Sequence, residues 1–576
     1  LRFLDGLEEE AISRRDATPL KDAERNLRFL RGDQHSQAGA TGPVSPYKGD
    51  GAYRFTLNIL NANMKRKVAL LTDSRPQIDV VPYSKNRQKS ADAQKAAMLG
   101  LWDEQSLDQS FSRECVRAGT IGCTLCLPIW DASANYGRGD IRFLMYDPRQ
   151  VAIDPSLTRA IDLQRHAEFL SVREVLSLNK IRAEYPQRGP DVKPTARWST
   201  YSAGRRAQTR FQGLVTAMGQ PWKKQEVAGT ESQVPRSEIR HTWFKDFQRD
   251  DRGNPVWSRP RWIRYVVDAE GVKLKDEKLP YWHGEIPGHL FDWDIELEHP
   301  YGMSEVGGLW RIQYSLNRII AQIIENVLLT NRIKIIVDND AVDPKTAAAM
   351  AANPNAIFIR KRLGRNVDYN LPLNAIPPYV LNVVQLLIQS VDLVSGMTDV
   401  TRGQAKGQTS GLAIEGLQIA AQSVVRLQAR AFENWLERIF QHVIALIFQY
   451  FPAERMVAYT GPTDKLISYA VERQRILTTD DGGKIDEKEG WKDFKFRVLP
   501  ASSLAVTRIQ RGVLMANLYQ MGLVPGSEVL RAAEVPSAEE TLAKAREEIA
   551  AGFGPQGGRN RLQKTPGTSR RAVAGV

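Results

Sequence analysis

The sequence predicts an α+β, helix-rich fold, and three observations point to it. In "GLWRIQYSLNRIIAQIIENVLLTN" (308–331), apolar residues fall at Leu309, Ile312, Leu316, Ile319, Ile320, Ile323 and Val327, the three-and-four spacing of one helix face. Residues 412–451 carry one unbroken helical pattern, about 60 Å long if straight. By contrast, "EIRHTWFKDF" and "RWIRYVVDAEGVKLKDEKLPYW" alternate apolar and polar residues, with "DAEG" as the hairpin turn.

Taken in order, residues 1–35 read as helical, with Leu20, Ala23, Leu27 and Leu30 on one side. The Gly-, Pro- and Ser-rich stretch 35–54 is a loop. Residues 55–76 return to helix and stop at Pro76, which cannot continue it. "QIDVVPY" is a strand, 85–120 a helical stretch, and "TLCLPIW" pairs with "DIRFLMYDP" across the turn-rich "DASANYGRG". Trp198, Trp222, Trp243, Trp257, Trp262 and Trp282 crowd the region from about 190 to 290. That region is expected to be a strand-rich insertion whose tryptophans pack a small core of its own, in preference to a single-strand nucleic-acid platform.

After the 308–331 helix, "RIKIIVD" and "AIFIRKR" are strand-like and flank a short helix in "VDPKTAAAMAANP". Asp343 is its N-cap, Pro344 its first residue, and Pro354 lies beyond its end. A second apolar helix (378–396) shows one polar line, Asn382, Gln385, Gln389 and Asp392, and is expected to be mostly covered by protein. Residues 455–500 mix strand and turn, and short helices follow, broken at Gly522, Pro525 and Pro536. The tail from 552 is basic, Gly-rich and expected to be flexible.

The composition, 42% hydrophobic and 25% charged over 576 residues, is that of a globular protein. A net charge of +13 points to a polyanion or an acidic surface among its partners. No apolar run approaches the ~20 residues of a membrane span, so no membrane partner is expected. The N-terminus lacks a signal-peptide core, and the chain starts on Leu, so leading residues are expected to precede it. Cys115, Cys123 and Cys126 cannot close a disulfide framework, which fits a reducing compartment. The lone CxxC, with no second pair, reads as buried thiols rather than a zinc site.

A search for chemistry is largely negative. "TDVTRGQAKGQTSG" (398–411) has the glycines and lysine of a phosphate loop, but only three residues separate Gly403 from Gly407, where four are needed, and Gln408 stands where the lysine belongs. A helix precedes it where a strand should. In "YWHGEIPGHLFDWDIELEHPYG", three histidines sit among five acidic residues without metal-ligand spacing, and an irregular connector is expected. No serine-hydrolase elbow, kinase set or dinucleotide fingerprint occurs. No catalytic residue, metal or cofactor is assigned, and no enzyme activity is expected.

The order of parts is more telling. "PYGMSEVGGLWRIQYSLNRIIAQIIENVLLTN", "SGMTDVTRGQAKGQTSGLAIEGLQIAAQSVVRLQAR" and "YQMGLVPGSEVLRAA" resemble the portal protein, or head-to-tail connector, of tailed bacteriophages, particularly the large portals of short-tailed phages. The likeness spans roughly 55–550 and is firmest over 300–450. It implies a mixed α/β wing (1–302 and 452–500), two stem helices (303–331 and 377–397) and a small α/β clip (332–376). It further implies a tunnel loop (398–411), a long wing-spanning helix (412–451), a short helical crown (501–551) and the basic tail (552–576).

The resemblance also implies a function. Portal proteins form rings, typically of twelve subunits, around a channel for double-stranded DNA at one capsid vertex of the virion, after assembly in the host cytoplasm. Expected partners are other copies of the chain, DNA bound without sequence preference, the terminase large subunit, adaptor and tail proteins, and the major capsid and scaffolding proteins. Arg402, Lys406, Gln408, Thr409 and Ser410 are candidates for the channel lining. Arg360, Lys361, Arg362 and Arg365 are candidates for docking at the clip. Leu309, Ile312, Leu316, Ile319, Ile323 and Val327, with Val384, Leu387 and Val391, are the expected stem packing. Two other classes stand beside this one: a metal-dependent DNA-processing enzyme using the acidic stretch 292–298, and an assembly scaffold without nucleic acid.

Overall fold

The computed structural model describes residues 2–34, 55–72, 76–194, 235–247, 261–268, 271–330, 376–396, 423–452, 454–460 and 466–498, with single positions at 252, 254 and between 515 and 529. The described helices longer than a single turn are α1 (Arg2–Ala17), α2 (Ala23–Arg31), α3 (Ile59–Thr72), α4 (Gln88–Glu104), α5 (Leu107–Ile121), α6 (Leu178–Glu184), α7 (Glu305–Thr330), α8 (Tyr379–Ser395) and α9 (Ser423–Tyr450). The strands are β1 (Ile78–Pro82), β2 (Cys123–Asp131), β3 (Asp140–Tyr146), β4 (Val151–Ile153), β5 (Phe169–Ser177) and β6 (Arg236–Asp246). They continue with β7 (Arg261–Asp268), β8 (Lys273–Lys278), β9 (His289–Asp292), β10 (Glu454–Thr460), β11 (Leu466–Glu472) and β12 (Phe494–Val498). The architecture is mixed helix and sheet, as the α+β reading expects.

All strand pairs among the described residues are antiparallel. A five-stranded sheet runs β4-β5-β6-β7-β8, a three-stranded sheet β3-β2-β9, and two ribbons pair β1 with β12 and β10 with β11. The predicted pairing of "TLCLPIW" with "DIRFLMYDP" is the β2–β3 ladder, and "DAEG" separates the paired β7 and β8. The β1–β12 ribbon joins residues 78–82 to 494–498, so early and late parts of the chain close on one body.

Helix α9 forms the centre of that body. Trp435, Leu436, Ile439, Phe440, Val443, Ile444 and Ile447 are all fully buried, so the helix is covered on nearly every side. Phe440 stacks on Trp102 of α4 and on Phe496 of β12, and Trp435 stacks on Phe291 of β9. The three free thiols lie in this interior, Cys115 on α5, Cys123 and Cys126 on β2, and burial raises all of them.

Two readings are corrected. The 85–120 stretch is two helices, because Ser106 adopts a left-handed conformation (φ 49°) that breaks the run between α4 and α5. Trp243 and Trp262 do not close a small core of their own. They pack with Leu125, Leu127 and Leu290 of the three-stranded sheet, because β6 pairs directly with β5 and carries its sheet onto that core. The described part of the 412–451 helix begins at Ser423.

Candidate functional site

Helix α7 starts from a fixed socket. Ser304 Oγ accepts the Gly307 amide proton (3.0 Å) and donates to the Thr120 carbonyl (2.6 Å), closing the first turn and tying it to α5. Glu305 lies in that turn, where the helix dipole favours an acidic group. It meets Lys67 Nζ of α3 at 3.0 Å and accepts from Trp293 Nε1 at 3.0 Å, and both Lys67 and Trp293 are buried.

Two turns on, Gln313 and Asn317 are fully buried on the same side. Gln313 Nε2 donates to the Leu57 carbonyl (2.6 Å), and Asn317 Oδ1 accepts the Leu57 amide (3.0 Å). Asn317 Nδ2 also donates to Gln34 Oε1. A buried amide needs such partners, and these set the rotation of α7 about its axis.

Helix α8 packs along α7. Of the expected packing residues, Leu309, Leu316 and Val391 are buried. Ile312, Ile319, Ile323, Val384 and Leu387 are half-buried. Val327 is exposed. The line Val384, Leu387 and Val391 is the inward side of α8.

The other side of α8, expected to be mostly covered by protein, is not covered within this chain. Tyr379 (65%), Val383, Leu386 (60%) and Leu393 (82%) recur at one helical spacing and are exposed, with Leu381 and Val394 beside them. Only Val391 and Ser395 of its seventeen residues are buried. Apolarity around a helix predicts burial without saying which chain supplies the cover. The residues on this second apolar line were legible in the spacing, yet sequence reasoning picked out only the inward line.

The channel candidates Arg402, Lys406, Gln408, Thr409 and Ser410 lie outside the described residues, as do Arg360, Lys361, Arg362 and Arg365. The acidic stretch 292–298 gains no support as a catalytic centre. Among the described residues, no three His, Cys, Asp or Glu side chains are grouped to hold a metal ion. Asp292 is half-buried, and burial raises its carboxyl above the usual value. Leu297 and Ile295 in the same stretch face outward. No described helix is long and apolar enough to cross a membrane.

Two comparisons bear on this arrangement. The family model described as phage P22-like portal protein matches residues 9–563. No curated protein matches the sequence.

Proposed function

This chain belongs to the phage P22-like portal protein family, a structural family of the capsid vertex, and from that membership we propose that copies of it close into a ring around a DNA channel. The exposed apolar side of α8 is the observation that carries the proposal. Full burial of a Leu or Val side chain is worth about 1.5–3 kcal/mol, so six residues left in water favour a cover supplied by another copy. A complementary surface on the next subunit repeats the contact head to tail, and where the rotation between neighbours closes, such a contact makes a ring.

Within this reading, α7 and α8 are the stem, 332–376 the clip, and 398–411 the loop facing DNA. Arg402 and Lys406 approach phosphates without reading bases, assisted by Gln408, Thr409 and Ser410. Arg360, Lys361, Arg362 and Arg365 at the clip meet the terminase large subunit and later the adaptor and tail proteins. Wing and crown meet capsid and scaffolding proteins during assembly in the host cytoplasm. Twelve subunits is the expected number. The chain is a conduit, and the energy of packaging comes from the terminase.

Mass photometry of the purified chain tests the proposal. A single species of many subunits, seen by negative-stain microscopy as a ring with a central opening, is expected. A monomer at every concentration, or an assembly with no opening, overturns it. Cleavage of DNA by the chain with magnesium or manganese would favour a nuclease instead.

A further inference from the structure

Four side chains from three separate stretches of the sequence form one hydrogen-bonded string through the interior. Gln164 Nε2 donates to the Gly288 carbonyl (3.2 Å), which fixes the orientation of the amide, and it also meets His289 Nδ1. His289 Nδ1 is therefore an acceptor, and that ring carries its proton on Nε2. Nε2 faces His442 Nδ1 of α9 at 3.0 Å, and His442 Nε2 faces Glu285 Oε2 at 3.0 Å. Donor and acceptor roles then run in one direction, from Gln164 to the half-exposed Glu285 carboxylate. His283 stacks on His442 with ring centroids 4.2 Å apart, and its buried Nε2 has no hydrogen-bond partner among the described residues. Trp435 Nε1 of α9 donates to the His289 carbonyl (3.0 Å), anchoring the same strand.

We infer that this string is an acid-released latch: intact at neutral pH, it fastens residues 281–292 to α9, and protonation of its rings undoes it. An N–H···N bond survives only while one ring accepts. A second proton on His442 sets its Nδ1–H against His289 Nε2–H. A second proton on His289 sets its Nδ1–H against the Gln164 amide. A charge on His442 or His283 also repels a charge on the other across their stacking distance.

The surrounding charges oppose protonation of the inner rings. Arg438 of α9 reinforces the effect on His289, and Asp292 of β9 faces that guanidinium. Glu285 is the carboxylate in contact, and Lys245 of β6 lies within its field. Burial holds His283 and His289 well below the usual histidine value, so the latch stays closed at neutral pH. Its release is expected to be local, because among the described residues the hydrophobic cluster around α9 contains no other histidine.

Hydrogen exchange of the assembled full chain at pH 7.5 and pH 5.0, corrected for the intrinsic rate, tests the latch. Peptides from 281–292 are expected to lose about tenfold or more of their protection at the lower pH, while α4 and α5, which contain no histidine, keep theirs. In the double variant H289Q/H442Q, amides donate and accept without titrating, and the loss is expected to shrink below about twofold. Equal wild-type protection of 281–292 at both pH values overturns the inference, and so does an undiminished loss in the double variant. The wild-type comparison decides by itself if the double variant does not assemble.

Discussion

Gly122 and Gly302 pack backbone against backbone where β2 begins and the segment before α7 passes. A Cβ on Gly302 would lie 2.8 Å from the Gly122 carbonyl oxygen, and one on Gly122 would lie 2.8 Å from the Tyr301 oxygen. Both glycines have positive φ, +122° and +63°, so side chains are excluded by space and by conformation. The Gly122 carbonyl also accepts the Trp293 amide at 2.9 Å. This joint fixes the approach to α7 before its first turn.

Gly302→Ala is therefore expected to destabilise the chain by about 2 kcal/mol or more, since the obstacle is backbone, which cannot turn aside. Thermal unfolding checks it. An unchanged melting temperature would mean that the joint opens easily.

Lys67 and Glu305 form a buried ion pair at the start of α7, and breaking it from one side should be severe. Lys67→Met leaves the Glu305 carboxylate buried with Trp293 Nε1 as a neutral donor, at an expected cost of about 3–5 kcal/mol. The double variant K67M/E305Q removes both charges and should recover most of that loss. Denaturant unfolding of the three proteins gives the coupling.

His241 gives the fold a defined acid sensitivity. Burial, reinforced by the Arg264 guanidinium that donates to its Nδ1 (3.2 Å), pushes it down to about 3. The unfolded chain binds that proton near pH 6.5 and the folded chain does not until about 3. Between these limits the unfolded state holds more protons, so stability falls as pH drops and levels off below the lower one. This residue contributes a slope of about 1.4 kcal/mol per pH unit. His241→Asn keeps an acceptor for Arg264 without titrating, and should flatten the pH dependence by that amount in denaturant titrations from pH 6 to 4.

Much of this was legible in the sequence where the signal is periodic. The β2–β3 pair and the β7–β8 hairpin follow from spacing and turn residues alone, whereas on α7 the apolar spacing marks the buried Leu309 and Leu316 but not the buried Gln313 and Asn317. What escaped depends on contacts between distant positions. The β5–β6 ladder joins strands separated by residues 178–235, so nothing local marks Trp243 as part of the β2 core. The prolines and glycines around His283 and His289 identify a connector, but their meeting with His442, more than 150 residues away, leaves no local trace. On α8, the spacing marks both apolar lines alike and cannot tell the inward one from the one left exposed in this chain.

Leu386→Glu combined with Leu393→Glu places two charges on the exposed line of α8 while leaving the inward line intact. The expected product is a folded chain, with wild-type far-UV circular dichroism, that no longer assembles. Mass photometry reads the loss. Rings at wild-type abundance would remove α8 from the interface.

For the channel role proposed for Arg402 and Lys406, the double variant R402A/K406A is expected to leave rings intact and to alter the length or retention of packaged DNA. Pulsed-field sizing of DNA from assembled particles measures it, and unchanged length and retention would argue against contact.

Single-particle cryo-electron microscopy of the assembled chain reaches the central claim most directly. The expected result is a closed ring in which apolar side chains of the neighbouring copy lie within about 4 Å of Leu386 and Leu393. A ring whose α8 residues remain bathed in solvent, or a chain found only as separate monomers, would contradict it.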